Sequence, residues 1–326
     1  MSNKHPYRRG SNQHRKVPKP FTPGLPEPDA QLVVPAFALT EPSLVASRSV
    51  LCEVLDALSE HQDALTVIGA HAVHERTSEL PFASTVTKDS DIGVAPELVG
   101  DAPLLGELME RAGFSPLSRL AAALPDNHPG RRWLGRPGLW GTRIDENGDP
   151  VDEVDLMVPE SIAGSGRRSV GSMSGHGKAT TGRVLGIELC VLERDLLSIE
   201  DFQTGVKRYA YVARHSGLIC AKAHKIADRL RDAEGGRDRR GLVIPKDIMD
   251  LWRCMVTSEP QSVRAQFDRH SSDPIVGAAV TAGAERFGAL IRDARVPTLV
   301  APLLSVHGID RRDGLAGTFE EWRVYF

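Results

Sequence analysis

The sequence predicts an α/β fold of the α+β kind: a small mixed sheet with flanking helices, followed by a C-terminal helical lobe. Three observations predict it. Short apolar runs bounded by turn residues recur through the first two thirds of the chain and read as strands. From about Ser216 the pattern changes, and Ile219, Ala223, Ile226, Ala227 and Leu230 fall at helical spacing. The chain has 326 residues, 41% hydrophobic and 25% charged, which suffices for a sizeable core and two lobes.

Each element has its own signal. Residues 1–30 carry Lys4, Arg8, Arg9, Arg15, Lys16 and Lys19 against Glu27 and Asp29, with prolines at 18, 20, 23, 26 and 28. This composition predicts a disordered basic tail, either solvated or touching nucleic-acid phosphates. A core lobe follows over 35–205. Ser43 or Glu41 opens a helix over 44–58, with Leu44, Val45, Val50, Leu51, Val54, Leu55 and Leu58 as its apolar set. A strand is expected at 64–68, a short helix from 70, a strand at 91–95, and a helix at 104–112 ended by Gly113. Residues 131–158 read as strands and turns, with Asn147-Gly148 as a hairpin signal. A further strand is expected at 184–192. The Gly/Ser-rich stretch at 163–182 reads as a mobile loop, with Arg167, Arg168 and Lys178 as cations within reach of a substrate. It is not a P-loop, because Ala179 follows Lys178 where Ser or Thr is needed. Helices are expected over the 206–326 lobe at 216–230, after Pro245, and at 260–270, 275–292 and 313–323.

Composition excludes several classes. Net charge is −3, so no global basic field argues for nucleic acid. No apolar run approaches the roughly 18–20 residues that span a bilayer, and the N-terminal residues lack the apolar core of a secretory signal. Cys52, Cys190, Cys220 and Cys254 are scattered, with no CxxC, and read as reduced thiols of a cytoplasmic protein. His71, His74 and Glu75 lack the HExxH spacing of a zinc helix.

The chemistry concentrates in three acids. Asp89 and Asp91 lead into Ile92, Gly93 and Val94. Carboxylates at i and i+2 on an extended segment share a face, and two such charges are costly unless a cation lies between them. Mg²⁺ fits, because it takes one or two carboxylates plus substrate phosphates. Asp155 stands in the apolar run VDEVDLMVP, where an acid is unusual unless paired or metal-bound.

Gly69-Ala70, Asp89-x-Asp91 and the later Asp155 resemble the catalytic core of the polymerase-β-type nucleotidyltransferase superfamily. GLICAKAHKIADRLRD followed by PKDIMDLWR is similar to the helical pattern of its AbiEii-like branch, which includes toxins of toxin–antitoxin systems and phage-defence proteins. The resemblance covers about residues 60–255. It departs at Ala70, where the family has Gly or Ser, and in the long link from Gly69 to Asp89.

The resemblance implies transfer of a nucleotidyl group from an NTP to an acceptor hydroxyl with two Mg²⁺ ions. Asp89, Asp91 and Asp155 would be catalytic and would hold the metals, with Asp155 nearer the attacking hydroxyl. Gly69 and Ala70, through backbone N–H groups, and Lys222, Lys225 or Arg229 would bind the nucleotide. The implied partners are an NTP, an RNA acceptor such as the 3′ end of a tRNA, and a cognate antitoxin, with no membrane. Two other functions fit the same core: a small-molecule, antibiotic-modifying nucleotidyltransferase, and a catalytically inactive binding or regulatory module. Retention of all three carboxylates weighs against the inactive module.

Overall fold

A computed structural model describes residues 42–80, 87–128, 130–163, 170–171, 173, 175–177, 179–234, 243–299 and 312–326. The expected basic tail, the segment 81–86, and Arg167, Arg168 and Lys178 lie outside the described residues.

The fold is α+β, with a mixed sheet and a helical C-terminal region. Helix α1 (Pro42–Ala57) buries Leu44, Val50, Leu51 and Val54, the stripe its apolar spacing requires. Strand β1 (Leu65–Val67) leads into α2 (Gly69–Arg76), and β2 (Asp89–Val94) returns antiparallel to β1, with Val67 opposite Ile92. Helix α3 (Leu105–Arg111), strand β3 (Ser115–Pro116) and the short helices α4 (Leu117–Ala121) and α5 (Arg131–Leu134) come next. Strand β4 (Leu139–Gly141) precedes the hairpin of β5 (Arg143–Ile144) and β6 (Pro150–Val151), whose turn holds Asn147-Gly148 as expected. Strand β7 (Glu153–Pro159) runs parallel to β2 with Asp91 opposite Asp155. On its other edge β7 pairs with β4 through Val154 and Asp155, and with β9 (Thr181–Val184) from Met157 to Pro159. Strand β8 (Val170–Gly171) pairs with β9.

The strand expected at 184–192 is not there. The chain turns at Gly186, and Glu188–Leu192 forms helix α6. Gly186 has φ +99°, and a Cβ there would stand 2.6 Å from the His224 ring, so the turn requires glycine. The Glu188 carboxylate fixes the new direction. It accepts the Gly186 N–H at 2.6 Å and the Ser161 hydroxyl at 2.6 Å. Two strands that were not expected follow: β10 (Arg194–Glu200) and β11 (Lys207–Ala213). Strand β11 runs parallel to β1, with Val212 opposite Val67, so the sheet continues past the 205 boundary.

Helix α7 (His215–Glu234) begins at the end of β11, and α8 (Val243–Val256) packs along it, with Pro245 in its first turn. The expected C-terminal helices are α9 (Pro260–Ser271), α10 (Gly277–Arg292) and α11 (Arg312–Trp322). One apolar core joins sheet and helices, running from Leu51 and Val54 through Ile92, Leu156 and Val212 to Trp252, Phe287 and Trp322. Among the described residues, no helix is long and apolar enough to cross a membrane.

Candidate functional site

The site lies where β1 ends, α2 begins, and β2 and β7 start. Strand alternation puts Asp89 and Asp91 on one face, and Asp155 stands opposite Asp91 on the neighbouring strand. The structure therefore brings the three acids together. Strand β2 is anchored from behind: Ser90, between the two acids, donates its hydroxyl to the Ser47 carbonyl of α1 at 2.8 Å. The Ile68 N–H donates to the Asp91 carbonyl at 3.0 Å, which sets Gly69 directly beside the Asp91 side chain.

Gly69 has φ +63°, and a Cβ there would meet Asp91 Oδ2 at 1.9 Å. Glycine is required twice, by the backbone conformation and by the carboxylate against it. Gly69→Ala should cost about 2 kcal/mol or more of stability and displace the Asp91 carboxylate. Denaturant unfolding with a label-transfer assay checks this; an unchanged unfolding midpoint with unchanged transfer would contradict the geometry. Ala70 is buried and can offer only its backbone.

Each acid has its own electrostatic setting. Burial pushes Asp155 well above the usual carboxylate range, aided by Asp91, Glu153 and Asp89, while Arg136 pulls the other way. Burial and the charge of Asp89 raise Asp91, against Lys225, Lys222 and Lys246. Burial also acts to raise Asp89, but the Thr87 hydroxyl that donates to its Oδ1, together with Lys246 and Lys225, holds it below its ordinary value. Asp155 Oδ1 is out of contact with solvent and takes no hydrogen bond. A buried carboxylate oxygen without a partner is an acceptor waiting for a cation or a donor.

The lysine helix divides differently from the expectation. Lys222 is buried, and its Nζ donates to Asp247 Oδ1 at 3.0 Å and to Asp250 Oδ2 at 2.6 Å. Arg229 is held by the other oxygen of Asp247. Both cations are engaged by acids of α8, and the charge of Lys222 also acts on Asp91. Lys225 is different: 46% of its side chain is exposed, its contact with Asp247 is a longer 3.5 Å, and its charge acts on both Asp89 and Asp91. Although its tip reaches solvent, partial loss of water around the rest of the side chain and the neighbouring charges of Lys222 and Arg229 push Lys225 down to about 8, against the pull of Asp91.

Sequence reasoning did not assign Lys246 to the site. Its charge acts on Asp89 and Asp91, and burial lowers it from its ordinary value. The available signal was a lysine in the first turn of a helix, where the macrodipole disfavours it. Arg136 was missed as well, because it falls in a short turn before β4.

His71 is buried and His74 half-buried on α2 beside Arg48, which pairs with Glu75 at 2.6 Å. Burial first, and Arg48 next, push His71 well below and His74 to about 4, so both rings are neutral near pH 7. Among the described residues, no three or more His, Cys, Asp or Glu side chains are grouped so as to hold a metal ion by themselves. Asp89, Asp91 and the unpartnered Asp155 Oδ1 are hard oxygen donors of the kind Mg²⁺ takes, one or two at a time, with the rest of its shell supplied from outside the protein.

No family model, curated protein or solved structure matches the chain.

Proposed function

We propose that the chain is a Mg²⁺-dependent nucleotidyltransferase that moves an NMP group from an NTP to an acceptor hydroxyl, with RNA, at the 3′ end of a tRNA, as the acceptor. The observation that carries this is the side-by-side placement of Asp91 and Asp155, with Asp89 on the same face, beside Gly69 and opposite two lysines. Asp89, Asp91 and Asp155 would hold the metal, and Asp155 Oδ1 has an open coordination capacity for it. Mg²⁺ would supply charge neutralisation at the attacking and leaving oxygens. The backbone N–H groups at the start of α2 receive phosphate oxygens. Lys225 and Lys246 stabilise the charge that shifts to the leaving pyrophosphate. Asp155, raised by burial, accepts the proton of the attacking hydroxyl.

The test offers each labelled NTP with Mg²⁺ to total RNA and to small hydroxyl acceptors. Label transfer with stoichiometric pyrophosphate release is expected. No transfer and no pyrophosphate under any combination would leave the inactive module as the better description.

Lys225 gives this function a pH signature. A lysine held near 8 loses its charge as pH rises through that value, so kcat/KM for the NTP should fall above about pH 8. Lys225→Arg should carry the plateau to higher pH, since arginine stays charged. An unchanged alkaline limb in that variant would remove Lys225 from nucleotide binding.

The toxin side of the resemblance gives a separate expectation. The wild-type chain, expressed alone in a bacterial host, should slow growth, and the Asp89→Asn chain should not. Equal growth of both strains would argue against a toxin restrained by an antitoxin.

A further inference from the structure

The two sides of the acid cluster face different cations. Asp89 and Asp91 feel Lys225 and Lys246, whereas the cation acting on Asp155 is Arg136. Strand β4, which pairs Leu139 with Asp155, begins three residues after Arg136 and is followed by Arg143 on β5. Arg132 lies just upstream on α5. The three arginines are exposed, and among the described residues their side chains make neither an ion pair nor a hydrogen bond.

Their neighbours are engaged. Arg131 pairs with Asp126, and Arg119 with Glu110. Two acids of the same stretch are occupied within the fold: Asp145 accepts the N–H groups of Asn147 and Asp149 at 2.9 and 2.8 Å, and Asp152 accepts the Thr142 hydroxyl at 2.6 Å, while Glu146 and Asp149 are exposed at the hairpin tip. Three guanidinium groups are thus uncommitted along the strand that borders Asp155, against the two exposed carboxylates of the hairpin tip.

Resting on the nucleotidyl-transfer reading, we infer that the β4 flank is the acceptor side of the site. There Arg132, Arg136 and Arg143 hold the phosphodiester backbone of a nucleic-acid acceptor. Arg136 and Arg143 can stand no more than about 25 Å apart along the chain, a span of several phosphates. Trp133, half-buried between Arg132 and Arg136, adds an aromatic body beside that track. A small polar acceptor needs an enclosing pocket with few polar groups; an open flank with spaced, uncommitted guanidinium groups suits a polyanion instead.

The test uses full-length wild type, Arg132→Ala/Arg143→Ala, and that double variant with Arg136→Ala added. Binding of unfractionated deacylated tRNA is followed by fluorescence anisotropy across a salt series. Transfer from the NTP to the same RNA is followed alongside. The double variant should raise the KM for RNA about tenfold and flatten the plot of log affinity against log salt by a slope of about 1.5–2, with NTP affinity unchanged within twofold. Adding Arg136→Ala should flatten it further. Unchanged RNA KM and salt slope in both variants, with transfer to RNA intact, would overturn the inference and spare the proposed activity. Transfer confined to small hydroxyl acceptors, with no RNA binding, would do the same. Arginine-dependent RNA binding without transfer to any acceptor would support the surface and refute the activity.

Discussion

Asp91→Asn and Asp89→Asn should each abolish nucleotide transfer while moving stability in opposite directions. A loss of at least ~10³-fold in kcat/KM, about 4 kcal/mol of transition-state stabilisation, is expected for either. Stability separates them. Asp91 is raised in the folded chain by burial and by Asp89. Its contribution is therefore favourable below the unfolded carboxylate value of 3.8 and is lost as pH rises through the raised value. At pH 7 without metal the carboxylate is a burden, and Asn should raise the unfolding midpoint. Asp89 is lowered, with the Thr87 hydroxyl and Lys246 outweighing burial. Its contribution is present above 3.8 and disappears as pH falls through the lowered value, so Asn should reduce the midpoint at pH 7. Denaturant curves at pH 7 with chelator, beside transfer assays with Mg²⁺, check both halves. Near-wild-type turnover in either variant would remove the central claim about the acids.

Lys222→Ala should act on stability before it acts on substrate. The resemblance had Lys222 among the cations that would bind the nucleotide. The structure instead has Lys222 Nζ bonded to both Asp247 and Asp250, each buried. Removing the lysine leaves two carboxylates facing one another without their shared counter-charge. A broken buried ion pair costs about 3–5 kcal/mol. Lys222→Met combined with Asp250→Asn removes one charge of each sign, leaves Asp247 with Arg229, and should recover part of that loss. A Lys222→Ala chain that unfolds like wild type but binds NTP poorly would return Lys222 to the phosphate site.

The part of the site carried by local strand geometry was legible. Asp89 and Asp91 are acids leading into an apolar strand, and two-residue alternation sufficed to place them on one face, whereas Asp155 joins them only through the pairing of β2 with β7, which the resemblance implied. The division of labour among the cations was not. Helical spacing puts Lys222, Lys225 and Arg229 on one flank of α7, but Asp247 and Asp250 arrive from α8 and decide which cations remain available. That is tertiary information. Lys246 was hidden for the same reason, since its role depends on where α8 starts relative to β2. The missing hairpin has another cause. Strands β10 and β11 carry Arg194, Asp195, Glu200, Lys207 and Arg208, so their alternation is diluted by charge. The apolar run VLGIELCVL looked more strand-like, yet Gly186 and the Glu188 carboxylate turn it into a helix.

The parallel pairing of β1 with β11 has a consequence for the newborn chain. Strand β1 delivers Gly69 to the site, but its outer edge stays open until Val212 has been synthesised and laid beside Val67. Lys225 and Lys246 emerge later still. A ribosome-bound fragment that already contains all three acids therefore has neither a closed sheet nor a cationic wall. Because non-local pairing is slow to form, the proposed activity should arise abruptly and late, once α8 has packed along α7. Nonsense truncations anywhere before α8 should consequently be silent, with no partial activity to mark how far translation had gone.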